Sequence, residues 1–137
     1  MIVVDTNIII HLHITSERTT EILKVLEKDA YWFSPLLWQS EFRNVLSGAM
    51  RRNLINLDQA RQIMESALKT MAGREIPDSS NRVLELAAAS SCTAYDCEFV
   101  ALAQELGMKL VTLDKKILAR FPETAVEPGE FTKNLIT

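Results

Sequence analysis

The chain has 137 residues, 47% of them apolar and 24% charged, and a formal net charge of −3. That length and balance suit one soluble domain, 1–137, with a core of its own, and exclude a chain that binds nucleic acid by bulk positive charge. No apolar run reaches the roughly 20 residues of a membrane span, and the N-terminus has no basic leader and cleavage site, so the expectation is a cytoplasmic protein without membrane contact.

In chain order, MIVV is β-branched, the composition of a strand buried on both faces, and it stops on Asp5, Thr6 and Asn7. IIIHLHI follows as an apolar, helix-like stretch that holds His11 and His13. Glu17 to Asp29 carries a helical stripe at Ile22, Leu23, Val25 and Leu26. Residues 31–34 read as a second short strand, and Pro35 starts a helix over Leu36 to Arg52. Asn56 with Gln59 forms a capping box for the next helix, striped by Ala60, Ile63, Met64, Ala67, Leu68 and Met71 and closed by Gly73.

Ile76-Pro77 reads as a short edge or linking segment, and Asp78 to Ser80 cap a helix containing Val83, Leu84, Leu86 and Ala87. Thr93 to Asp96 has capping-box form, and its helix runs through Leu106 to Gly107. Lys109 to Leu113 is a strand, Asp114 to Arg120 a short helix, and Ala125 to Glu127 a last strand. Strands separated by helices imply parallel pairing with right-handed crossovers. The fold class is therefore α/β, a three-layer α/β/α sandwich on a small parallel sheet, with a helical excursion over residues 36–72. Cys92 and Cys97 do not make a CxxC pair and are expected as small core residues.

Four acids stand in awkward places. Asp5 and Asp114 each end a strand-like run, so two parallel strands deliver carboxylates to one edge of the sheet, where open α/β sheets place their ligands. Each also suits an N-cap. Glu41 projects from a face made by Leu37, Trp38 and Val45, and Asp96 precedes the stripe Phe99, Val100 and Ala103. An ionised carboxylate on such a face costs several kcal/mol unless it is paired or holds a metal. Asp96 also suits the N3 position of the capping box. Acids converging without a neutralising cation point to a hard divalent metal, Mg²⁺ or Mn²⁺, and so to metal-assisted phosphodiester chemistry.

MIVVDTN, SEFRNVL at 40–46, TAYDCEFVALAQELG at 93–107 and LVTLDKK at 110–116 together resemble the PIN domain in order and spacing, above all the compact VapC-type toxins of prokaryotic toxin–antitoxin pairs. The resemblance covers essentially the whole chain. It implies a Mg²⁺- or Mn²⁺-dependent ribonuclease leaving 5′-phosphate and 3′-hydroxyl ends, with Asp5, Glu41, Asp96 and Asp114 as metal ligands and catalytic acids. It implies supporting roles for Asn7 and Thr112, an antitoxin partner and a homodimer. The segment between residues 50 and 92 is not diagnostic.

Basic pairs Lys115/Lys116 and Arg51/Arg52 are candidates for RNA phosphates, against a bland reading as solvated faces. Arg43 is expected in solvent, the two histidines in structural or surface roles, and Met64 and Met71 in the core or in a partner groove. The competing readings are an RNA-processing PIN nuclease without antitoxin and a module that binds RNA or protein without cutting. A haloacid-dehalogenase-type phosphatase would want Asp where Asn7 stands, and a receiver domain a phosphoacceptor strand that residues 40–60 do not offer.

Overall fold

The computed structural model describes residues 1–133; the last positions of the expected domain, 134–137, lie outside the described residues. The β-branched run Ile2–Val4 forms β1, with every residue buried. It is central because it has a parallel neighbour on each side: β2 (Trp32–Phe33) and β3 (Leu110–Val111). Val3 lies opposite both Phe33 and Leu110, and β4 (Ala125–Val126) extends the sheet beyond β3. The order is β2-β1-β3-β4, all parallel. Two- and three-residue strands leave little sheet to cross, so the residues just past them (Asp5, Ser34 and Thr112) share one carboxyl edge. Ser34 Oγ donates to the Val4 carbonyl at 3.0 Å, and the Asp5 amide to the Val111 carbonyl at 3.0 Å.

Helices supply the outer layers of this α/β/α sandwich. α1 (Thr6–His13) and α2 (Thr19–Lys28) connect β1 to β2. The long connection from β2 to β3 holds α3 (Leu37–Arg51), α4 (Leu57–Met71), α5 (Ser80–Ala89) and α6 (Ala94–Leu106). α7 (Lys115–Arg120) joins β3 to β4, and α8 (Pro128–Phe131) follows. α1 packs on α2, α3 and α4, whereas α6 pairs with α5 and packs on β1 and β3.

Local signals account for most boundaries. Asn56 and Gln59 make the reciprocal capping box of α4, and Gly73 follows its end with φ +77°. Gly107 ends α6 in the left-handed conformation, φ 65°, which L side chains disfavour. Some expectations shift. α2 starts at Thr19 rather than Glu17, because the Thr19 hydroxyl and amide bond back to Ser16 and form a turn first. Around Ile76-Pro77 the pairing shrinks to a single bridge, Ser34 to Glu75, since Pro77 has no N–H to continue a ladder. The sequence reading passed over α8, although Pro128 occupies its first turn.

The core beneath the site is aromatic. Trp38 and Phe42 are fully buried and meet edge to face with ring centroids 5.8 Å apart. Phe42→Ala should therefore cost about 3–5 kcal/mol, read as a lower urea midpoint with an unchanged m-value.

Candidate active site

β1 ends on Asp5, and Asp5 is 8% exposed. It caps α1, its Oδ1 accepting the Thr6 amide at 2.7 Å. Its Oδ2 accepts the Thr112 hydroxyl at 2.7 Å and, at 3.4 Å, the Asn7 side-chain amide. Asn7 also accepts the Leu113 amide at 3.2 Å, and Thr112 accepts the Asp114 amide at 3.0 Å. Asn7 and Thr112 thus bind the two strand ends together around Asp5. Burial drives the Asp5 carboxyl from 3.8 up to about 6; the Thr112 and Thr6 hydrogen bonds oppose this, and the charges of Glu41 and Asp114 add to it.

Glu41 faces Asp5 from α3, half-buried beside Trp38. Burial raises its carboxyl too, opposed by the Thr6 hydroxyl donating to Oε1 at 2.6 Å and reinforced by the charges of Asp96 and Glu98. Asp114 caps α7, its Oδ1 accepting the amides of Lys116 at 2.9 Å and Ile117 at 3.1 Å. Asp96 is different. Thr93 accepts the Asp96 amide at 3.1 Å, but the return half of the box is absent, and the Asp96 carboxylate accepts no hydrogen bond among the described residues.

These four acids line one cleft of about 300 Å³, together with Thr6, Asn7, Ile10, Asn44 and Val45. Among the described residues no lysine or arginine lines it and none of the four acids forms a salt bridge. Nor, among the described residues, do three such groups stand close enough to make a ready-formed metal cage. The donor set fits a hard divalent ion that keeps several of its waters: it is all oxygen, partly desolvated and free of protein counter-ions.

Comparison with known proteins decides the family. The model of the PIN domain matches residues 2–124. The chain belongs to the PIN-domain family. It is 30% identical over 127 residues to Ribonuclease VapC3 of Pyrobaculum aerophilum, covering 88% of this chain and 95% of that one. Among solved structures it is similar to PAE2754 from the same organism, with a TM-score of 0.76 and 21% identity over 97% of this chain and 87% of that one. It is also similar to a toxin–antitoxin complex from Klebsiella pneumoniae, with a TM-score of 0.68 and 25% identity over 93% and 98% of the two chains.

Of the remaining sequence candidates, Lys115 and Lys116 are exposed at the start of α7, directly after Asp114, but do not line the cleft. Arg51 and Arg52 stand at the far end of α3, about 15 Å from Glu41 at 1.5 Å per residue, and Arg51 bonds to Ser47. Arg43 is exposed and bonds to Ser40. His13 packs on Phe42 and bonds to Ser66 and Thr70, while His11 bonds to Ser16; both stay outside the cleft, and burial lowers both imidazoles. Met71, Cys92 and Cys97 are core residues.

The sequence reading missed Thr6 and Asn44. Asn44 lies three residues after Glu41 on the same helix, so helical spacing alone could have found it. Thr6 had no such signal, because its role depends on α3 crossing in front of it.

Proposed function

We propose that this PIN-domain protein is a Mg²⁺- or Mn²⁺-dependent endoribonuclease and the toxin of a toxin–antitoxin pair, cutting RNA phosphodiesters to leave 5′-phosphate and 3′-hydroxyl ends. The observation that carries the reading is the convergence of Asp5, Glu41, Asp96 and Asp114 on one cleft without a protein cation. Asp5, Asp96, Asp114 and Glu41 would hold the metal. When bound, the ion would supply electrophilic assistance at the phosphate and lower the pKa of water.

The protein's own part is orientation. Thr112, Asn7 and the Thr6 amide hold Asp5 in one rotamer, and the start of α7 holds Asp114 by one oxygen, leaving Oδ2 free of protein hydrogen bonds among the described residues. Asp96 presents both oxygens. Lys115 and Lys116 would meet backbone phosphates at the rim, offsetting the repulsion between RNA and four acids; Arg51 and Arg52 would act only on RNA that runs along α3.

The likeness to a toxin–antitoxin complex over nearly the whole chain supports an antitoxin partner, and the VapC-type resemblance supports a homodimer. An apolar groove between α3 and α4, lined by Leu46, Met50, Leu57 and Met64 with Arg43 and Arg61 at its edge, suits a partner segment with acidic flanks.

Controlled expression in a bacterial host tests the reading. Wild-type protein should arrest growth and generate new 5′-phosphate RNA ends, and Asp96→Asn should do neither. Unaffected growth and unchanged RNA ends, with folded wild-type protein accumulating, would contradict it.

A further inference from the structure

Thr6 donates to the carboxylates of two of the four acids. The Thr6 amide donates to Asp5 Oδ1 at 2.7 Å while its hydroxyl donates to Glu41 Oε1 at 2.6 Å. Asp5 follows β1 and Glu41 sits on α3, so this hydroxyl links the sheet edge to a helix 35 positions further along the chain. Among the described residues it is the only hydrogen bond to the Glu41 carboxylate.

The geometry is well defended. Thr6 is 4% exposed, opens α1 and is β-branched, so its rotamer is restricted and its hydroxyl direction is set by the helix start. A hydroxyl has one proton to donate. Given to Oε1, it anchors that oxygen and leaves Oε2 without a protein donor among the described residues. Glu41 otherwise carries a flexible side chain beside other acids that repel it. Without the tether, rotation away from the cleft would relieve that repulsion.

We propose that Thr6 is a positioning residue that fixes the spacing of Asp5 and Glu41 and thereby raises the affinity of the cleft for a divalent cation. The proposal rests on the metal-dependent reading of the site. Thr6 itself coordinates nothing; it acts through Glu41, as outer partners of metal ligands commonly do, with 10–100-fold effects on affinity.

Mn²⁺ titration of the purified protein, followed by electron paramagnetic resonance at pH 7.5, tests it. Thr6→Val keeps the shape and the backbone N–H but removes the hydroxyl, and Thr6→Ala repeats the loss should Val fail to fold; circular dichroism reports folding. Either should weaken Mn²⁺ binding by about tenfold or more, whereas Thr6→Ser should stay within about twofold of wild type by keeping the donor. Added to Glu41→Gln, Thr6→Val should weaken binding by less than about twofold, because its target is already altered. Wild-type affinity in the folded hydroxyl-free variants, or an equal loss in the Glu41→Gln background, would overturn the proposal while leaving the nuclease reading intact. A wild-type protein that binds no Mn²⁺ would overturn the metal site itself and the Thr6 role with it.

Discussion

Asp5→Asn is expected to make the metal-free protein more stable at pH 7.5 and to abolish RNA cleavage. The carboxyl is raised to about 6 in the folded protein, chiefly by burial, against 3.8 for an unperturbed group. Folding therefore favours the protonated form. The stability that this gives is fully present below about pH 4 and is lost as pH rises toward about 6. A shift of about two pKa units corresponds to roughly 3 kcal/mol at neutral pH. The amide carries no charge and keeps one acceptor, so it should recover about 1–2 kcal/mol of this, several degrees in the melting midpoint.

Thermal melts in EDTA should show the Asn variant ahead of wild type at pH 7.5 and the gap closing toward pH 4. Added Mn²⁺ should stabilise wild type by mass action and leave the variant nearly unmoved. Cleavage should fall by about 10³-fold or more, the scale of losing a group that organises transition-state charge. An Asn variant no more stable than wild type in EDTA, and equally stabilised by Mn²⁺, would show that Asp5 is a structural cap alone.

Asp96→Asn carries the second large effect, and its signature differs. Among the described residues the Asp96 carboxylate accepts no hydrogen bond: Thr93 bonds only to the residue's amide, which the substitution leaves in place. Stability in EDTA should change by less than about 0.5 kcal/mol, the range of a substitution that breaks no structural contact. RNA cleavage should fall by about 10³-fold or more, as with Asp5. Asp114 provides the contrast, because its carboxylate caps α7 through two amides. Asp114→Ala should lose about 1 kcal/mol of stability along with activity. A folded Asp96→Asn protein that cleaves RNA like wild type would remove Asp96 from the site.

The centre of the sheet was legible because β1 and β3 are fully buried and read as unbroken apolar runs: IVV and LV need no alternation to be recognised. The acids were legible because each breaks a pattern. Asp5 and Asp114 end such runs, Glu41 interrupts a helical stripe, and Asp96 precedes one. Asp5 and Asp114 both cap helices, each through one carboxylate oxygen. For Asp96 the capping reading holds only for the backbone half of the box. Thr6 was illegible: a threonine after an N-cap is unremarkable until α3 brings Glu41 across to it. The bridge at Glu75 lies one residue before the Ile76-Pro77 segment, because pairing on so short an edge depends on the tertiary position of Ser34 and not on local propensity.

The most direct test of the whole account is cleavage of end-labelled RNA by the purified protein, free of any partner, in Mg²⁺, Mn²⁺ and EDTA, with the chemistry of the new ends determined. Cleavage is expected in either metal and not in EDTA, with 5′-phosphate and 3′-hydroxyl products, and neither Asp5→Asn nor Asp96→Asn should cleave. Cleavage that persists in EDTA, or in either variant, would contradict it.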